Sequence, residues 1–144
     1  MTEINNTTKA KISTPLVKKL VAAFLCRMKL EPEPLVSIVF VGDKKIKQIN
    51  SKYRKRNRIT DVLAFSNLEG GQIAAPKGEP PYLGEVIICY PQAKRQAKEQ
   101  GHSVKKEVTI LLIHGLLHLL GYEHDKRSER MIMQRLEKEL LVLV

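Results

Sequence analysis

The sequence predicts one α+β domain, residues 1–144, in which a small mixed β-sheet packs with about five helices, one of them central and buried. Three observations lead to this prediction. The length of 144 residues, 43% of them hydrophobic, suits a single domain. Short β-branched runs occur among segments of helical periodicity, and no internal repeat marks a second unit. Cys26 and Cys89 form no CxxC pair, so the core is expected to need neither a disulfide nor a cysteine-bound metal.

The first predicted helix and strand lie in the first third of the chain. Residues 15–28 follow Ser13, place a proline at the first helical position and repeat apolar residues at helical spacing. They predict an amphipathic helix. A Glu-Pro-Glu-Pro break follows, and residues 35–41, LVSIVFV, then predict a short buried strand.

The segment 44–58, KKIKQINSKYRKRNR, carries eight basic residues and no acidic one. Ile46, Ile49 and Tyr53 recur at intervals of three and four, so the segment begins as a helix with one apolar stripe and a cationic outer face. The whole chain has 25 Lys and Arg against 15 Asp and Glu, which leaves a net charge of +10. A polyanionic partner is therefore expected.

Two strands and three helices are predicted in the rest of the chain. Residues 61–66 and 84–89 have the patterns of strands, and the Gly- and Pro-rich stretch 69–82 between them is expected to be a loop. The predicted helices cover residues 91–101, 103–120 and 126–143. The predicted order is therefore helix, strand, helix, strand, strand, helix, helix, helix.

Three of the chain's four histidines lie within eleven residues, on and just after the helix 103–120, whose residues 108–120 are apolar nearly all round. His114 and His118 are four residues apart, so they share one helix face and can reach one metal ion. Gly121 can end the helix in a left-handed conformation and let the chain present His124 to the same point. Three imidazoles with a fourth position left to water are typical of catalytic zinc. We expect one Zn²⁺ per chain, bound by His114, His118 and His124.

The alternative for these histidines is a set of core residues hydrogen-bonded to the backbone, which their clustering disfavours. The fourth histidine, His102, precedes the predicted N-cap Ser103 and is expected on the surface with no site role. In HExxH metalloproteases the residue after the first histidine is a glutamate that acts as general base, whereas here it is Gly115. A peptidase on this site would need another base, for which Glu123 and Asp125 are the candidates.

Arg54 lies between the cationic helix and the strand 61–66, where its guanidinium could grip a non-bridging phosphate oxygen beside the metal. Arg54 and His114 are the candidate catalytic residues. A single lysine in such a charge run usually belongs to a solvated face, but eight uncompensated cations favour nucleic acid. The candidate RNA-binding residues are Lys44, Lys45, Lys47, Lys52, Lys55, Arg56 and Arg58.

Aromatic residues make up 5% of the chain and are not interleaved with cations, so no stacking platform for single-stranded bases is predicted. Phosphate contacts should then dominate RNA binding. No apolar run approaches the roughly 20 residues of a membrane span, and the polar start lacks the apolar centre of a signal peptide. We expect a cytoplasmic protein with no membrane partner and no nucleotide cofactor.

Four segments together resemble the YbeY family of bacterial rRNA maturation endoribonucleases, in the same order and over essentially the whole chain. They are Tyr53-Arg54, TDVLAF at 60–65, LGEV at 83–86 and HGLLHLLGYEHD at 114–125. The histidine motif H-G-x-L-H-L-x-G-Y-[DE]-H is the most specific of them. Three departures from the family pattern are visible: Glu123 and Glu85 stand where Asp is common, and Ala64 where Ser is common. A base role for Glu123 is therefore harder to transfer.

The resemblance implies an α+β fold like that of zinc metalloproteases and RNA cleavage with an arginine matching Arg54. It also implies a metal, usually zinc, at residues matching His114, His118 and His124. The implied role is 3′-end maturation of small-subunit (16S) rRNA and ribosome quality control. The implied partners are rRNA and the small ribosomal subunit with its proteins.

Three functions are compatible with these observations. The first is a metal-dependent, single-strand-specific endoribonuclease. The second is a zinc peptidase or other metallohydrolase on the same site, and the third is a non-catalytic RNA-binding ribosome assembly factor whose metal is structural. Gly115 and the charge of +10 favour the first over the second. The open fourth metal position favours the first over the third.

Overall fold

A four-stranded mixed sheet lies at the centre of the protein. The structure is a computed structural model and describes residues 1–69, 72–73, 77–122 and 126–144. The elements in chain order are β1 Thr2–Asn6, α1 Thr14–Arg27, β2 Leu35–Val41, α2 Asp43–Arg54, β3 Val62–Ser66, β4 Leu68–Glu69, β5 Gln72–Ile73, β6 Tyr82–Cys89, α3 Tyr90–Gln100, α4 Val104–Leu119 and α5 Arg127–Leu141. The sheet has the strand order β1-β2-β6-β3. β1, β2 and β6 run parallel, and the edge strand β3 runs antiparallel to β6.

The predicted α+β class is confirmed. Each helix and strand for which the sequence predicts both bounds begins and ends within two residues of the observed element. Two predictions about strands are wrong. The polar start of the chain forms β1, which lacks an apolar pattern because it is an edge strand held by its parallel pairing with β2. The stretch 69–82, predicted as a loop, contributes to the antiparallel pair β4 and β5 and begins β6 at Tyr82.

The two faces of the sheet are covered differently. On one face α1, α4 and α5 enclose the main core, in which Phe24, Phe40 and Leu116 are almost fully buried. On the other face α2 packs through Ile46 against a smaller cluster that includes Ile87. Much of the basic segment therefore lies on a helix attached to the sheet by the buried Ile46 and the half-buried Ile49. Tyr53, the third residue of the predicted apolar stripe, is exposed.

Helix α4 is the predicted buried helix, and both of its ends are fixed by local hydrogen bonds. Ser103 caps its start by accepting a hydrogen bond from the Lys106 N–H at 3.0 Å. At its end Gly121 adopts φ 88°, and the Tyr122 N–H donates to the Leu117 carbonyl at 3.1 Å. This left-handed ending confirms the role predicted for Gly121.

An ionic anchor ties the start of α2 to α3. The Arg95 guanidinium donates to both carboxylate oxygens of Asp43, at 2.7 and 3.1 Å, and these hydrogen bonds lower the pKa of Asp43. The Cys89 thiol donates to the same carboxylate at 3.3 Å, and burial raises its pKa to about 11, so it stays a protonated donor. The anchor fixes the basic helix on the sheet.

Both cysteines are free thiols, Cys26 exposed and Cys89 buried. Among the described residues, no helix combines the length and apolar character that a membrane span requires.

Candidate functional site

A cleft of about 1010 Å³ opens between the end of α2, strand β3 and the second half of α4. Its lining includes three arginines and two histidines: Arg54, Arg56, Arg58, His114 and His118. Asp61 is the one carboxylate among the described residues of this lining. Both candidate catalytic residues, Arg54 and His114, therefore lie in one cationic cleft although 60 positions separate them along the chain.

Two of the three predicted zinc ligands lie on the wall of this cleft, one helical turn apart on α4. His114 is half-buried and His118 is exposed. His124, like Glu123 and Asp125, lies outside the described residues. Within the described part of the chain, no group of three or more His, Cys, Asp or Glu side chains could hold a metal ion. A pair of imidazoles at this spacing nevertheless fits zinc by its donor chemistry, with His124 as the third predicted ligand.

Glu137 of α5 is a site residue that the sequence analysis missed. Its Oε1 lies 2.6 Å from Nε2 of His114, and each of the two side chains is 24% exposed. At this distance the two atoms share a hydrogen bond. The two residues are 23 positions apart. Only the packing of α5 on α4 brings them together, so no local pattern could have revealed the contact.

Gly115 occupies the position of the HExxH glutamate, and packing dictates the glycine. A Cβ at this position would lie 2.5 Å from Cγ1 of Val86, because α4 lies directly against the sheet there. Any side chain would push the helix away from β6. Position 115 therefore cannot carry the glutamate of the HExxH motif.

Arg54 is the last residue of α2, and two contacts with β3 fix its exposed guanidinium. Nη2 donates to the Ala64 carbonyl at 2.7 Å, and Cζ lies 5.1 Å from the centre of the Phe65 ring. The Cys89 N–H donates to the Asp61 carbonyl, so in this antiparallel register Ala64 directs its carbonyl out of the sheet edge. Arg54 is thus held at the edge of β3, where the cleft lies.

His102 is not the surface residue that the sequence predicts. Its side chain is 19% exposed, and its Nε2 lies 2.7 Å from Oε1 of the buried Glu107. The Gln96 amide donates to the other oxygen of Glu107 at 2.8 Å and to Oδ2 of Asp61 at 3.3 Å. Hydrogen bonds therefore run from His102 to the carboxylate in the cleft. Sequence reasoning missed this network because its members lie in four places along the chain: just before β3, on α3, between α3 and α4, and on α4.

All seven candidate RNA-binding side chains are exposed. Arg56 and Arg58 line the cleft, whereas Lys45 and Lys52 line a second groove on the other side of α2. Lys44, Lys47 and Lys55 line neither cavity. In the part of the chain that the structure describes, no Lys or Arg of 44–58 forms an ion pair with a carboxylate. Their charge is therefore available to an anionic partner.

The fold and the cleft define a class of protein: a small α+β domain whose buried helix presents a pair of histidines to a cationic cleft. A family model described as Endoribonuclease YbeY matches residues 3–143. The chain is 40% identical over 134 residues to the Endoribonuclease YbeY of Dehalococcoides mccartyi, which covers 88% of this chain and 84% of that protein. It is 47% identical over 109 residues to the Endoribonuclease YbeY of Pelotomaculum thermopropionicum, over 76% and 71% of the two chains.

A solved structure shows the same fold. The solution structure of TM1509 from Thermotoga maritima matches with a TM-score of 0.66 and 25% sequence identity, over 97% of this chain and 89% of that one. The protein belongs to the endoribonuclease YbeY family. The resemblance seen in the sequence is confirmed.

Proposed function

We propose that this protein is a zinc-dependent, single-strand-specific endoribonuclease. Its role would be the 3′-end maturation of small-subunit (16S) rRNA and ribosome quality control, in the cytoplasm, with rRNA and the small ribosomal subunit and its proteins as partners. One observation carries the proposal: Arg54 and the pair His114 and His118 meet in a single cationic cleft. The name that its relatives share, endoribonuclease, supports the activity.

The residues of the cleft suit the chemistry of phosphodiester cleavage. Attack on phosphorus adds negative charge to the non-bridging oxygens, and a guanidinium already fixed in place stabilises that charge without reorganising. Arg54 is fixed in this way by Ala64 and Phe65. Zinc, held by His114, His118 and His124, would supply Lewis acidity toward a phosphoryl oxygen. Arg56 and Arg58 would hold neighbouring phosphates.

Two observations disfavour the peptidase alternative. The packing at Gly115 leaves no room on α4 for the glutamate base of the HExxH motif. The outward carbonyl of Ala64, which an added peptide strand would need in order to pair with the edge of β3, already accepts a hydrogen bond from Arg54. A cleavage assay distinguishes the proposed endoribonuclease from the non-catalytic RNA-binding assembly factor.

The assay uses a single-stranded RNA that spans the 3′ end of small-subunit rRNA. The protein is tested as a zinc-loaded sample, after chelation, and after zinc is restored. The variant His114→Ala/His118→Ala, purified in the same way, reports any contaminating nuclease. Cleavage that needs zinc and is lost in the variant is expected. No cleavage by the loaded protein, or equal cleavage by the variant, would contradict the proposal.

We expect RNA affinity to fall steeply as salt rises, because each phosphate bound by residues 44–58 releases counterions. For single strands the slope of log affinity against log salt should be about −0.7 for each phosphate contact. Fluorescence anisotropy with a labelled RNA, between about 50 and 200 mM salt, measures it. The variant Arg56→Ala/Arg58→Ala should have a shallower slope, and a flat dependence for the natural protein would exclude a phosphate-dominated interface.

Glu137→Leu is expected to weaken zinc binding by about 10- to 100-fold, because a carboxylate behind a ligating imidazole fixes the orientation of the ring and raises its basicity. Glu137→Gln, which keeps an acceptor, should lose less. Competition with a chelator of known affinity gives the zinc affinity directly, with no need for RNA. Glu139→Gln is the control, since this carboxylate on the same helix pairs with Arg27. Unchanged affinity in Glu137→Leu would remove Glu137 from the site.

A further inference from the structure

We infer that Tyr53 provides a stacking surface for a base of single-stranded RNA beside the cleft. The inference rests on the proposed function and identifies a residue that would select the form of the substrate. It begins from the exposure of the ring. Helical spacing predicts that Tyr53 continues the apolar stripe of Ile46 and Ile49, yet Tyr53 is 59% exposed whereas Ile46 is fully buried.

The position of the ring joins two cavities. Tyr53 lines the cleft that holds Arg54 and the two histidines, and it also lines the second groove, of about 610 Å³. The floor of that groove is apolar and includes Ile87, and Lys45 and Lys52 stand on its α2 side. Phe65 also lines both cavities, so an RNA strand that leaves the cleft toward this groove would pass over the Tyr53 and Phe65 rings.

The neighbours of Tyr53 give the ring a fixed orientation and a cationic surround. The Tyr53 and Phe65 rings meet edge to face, with their centroids 5.5 Å apart and an angle of 68° between the ring planes. Nζ of Lys52 lies 5.2 Å from the centre of the Tyr53 ring, and the Arg54 guanidinium lies over Phe65. A base stacked on Tyr53 would therefore have the Lys52 ammonium and the Arg54 guanidinium close by for its flanking phosphates. Glu85, also in the groove, would keep the backbone on the side of α2.

The sequence predicts no stacking platform, whereas this arrangement would provide one. The low aromatic content is real, but α2 and β3 bring Tyr53 and Phe65 together from positions twelve residues apart. Stacking on an aromatic ring tolerates every base but requires a base that is not already paired in a helix. Tyr53 would thereby favour single-stranded RNA with little preference for sequence.

The test measures binding of a short 2′-O-methyl RNA that resists cleavage, with single abasic positions moved along it. Tyr53→Leu should weaken binding of the intact strand by about 5- to 100-fold, whereas Tyr53→Phe should bind almost as the natural protein does, since the ring is kept. Met131→Ala is the matched control: Met131 is 60% exposed on α5 and lines neither cavity. It should have no effect.

The abasic positions make the assignment specific. At one position the missing base should cost the natural protein affinity and should cost Tyr53→Leu nothing, because the partner is already gone. Equal losses in both proteins, or a Tyr53→Phe variant as weak as Tyr53→Leu, would overturn the inference. Unchanged RNA affinity in Tyr53→Leu would also overturn it and leave the groove to a protein partner. Since binding is measured without cleavage, a failure of the nuclease activity would be seen separately.

Discussion

Replacing Arg54 by alanine is expected to slow single-turnover RNA cleavage by about 10²- to 10³-fold, by analogy with the loss of one oxyanion donor. The guanidinium is fixed on the Ala64 carbonyl and the Phe65 ring at the edge of the cleft. It is therefore placed to strengthen its hydrogen bonds as charge develops on the phosphate. The loss should fall on the rate at saturating RNA, because the interaction matters most in the transition state.

Two further variants make this prediction specific. Arg54→Lys keeps the charge but not the bidentate fork, so it should restore RNA binding more fully than cleavage. Arg56→Ala removes a nearby cation that also lines the cleft and should weaken binding only slightly. The melting temperature should stay close to that of the natural protein in every case, since Arg54 is exposed. Equal and small effects of Arg54→Ala and Arg56→Ala on the cleavage rate would end the catalytic assignment of Arg54.

His114→Ala/His118→Ala is expected to abolish stoichiometric zinc binding and, with it, RNA cleavage. Two of three predicted ligands are lost, and a single remaining imidazole cannot hold zinc tightly. Elemental analysis after gel filtration measures the metal content. The natural protein should hold one zinc per chain and the double variant close to none.

The control for this experiment is the histidine outside the cleft. His102→Gln keeps a donor for the buried Glu107 and should retain a full equivalent of zinc. Since His114 is half-buried and His118 exposed, the double variant should stay folded, with a melting temperature near that of the chelated natural protein. Stoichiometric zinc in the folded double variant would show that the metal site lies elsewhere.

The fold and the candidate site differ in how far the sequence predicts them. Helix α4 was predictable because its cap at Ser103, its apolar surface and its ending at Gly121 each depend on residues within a few positions of one another. The i and i+4 spacing of His114 and His118 is equally local, so a shared helix face follows from the sequence alone. Both predicted bounds of strand β2 agree with the observed ones, because its apolar run is short and continuous.

The tertiary structure decided what depends on contacts between distant segments. The sequence of β1 has too little apolar character to predict a strand, and its pairing with β2 stabilises it. Gly115 looks like a missing base in the sequence, but the structure shows that Val86 leaves no room for a side chain. The pairing of Glu137 with His114 depends on how α5 packs on α4. A periodic pattern records which face of an element is buried; which distant residue meets that face is settled only when the elements pack together.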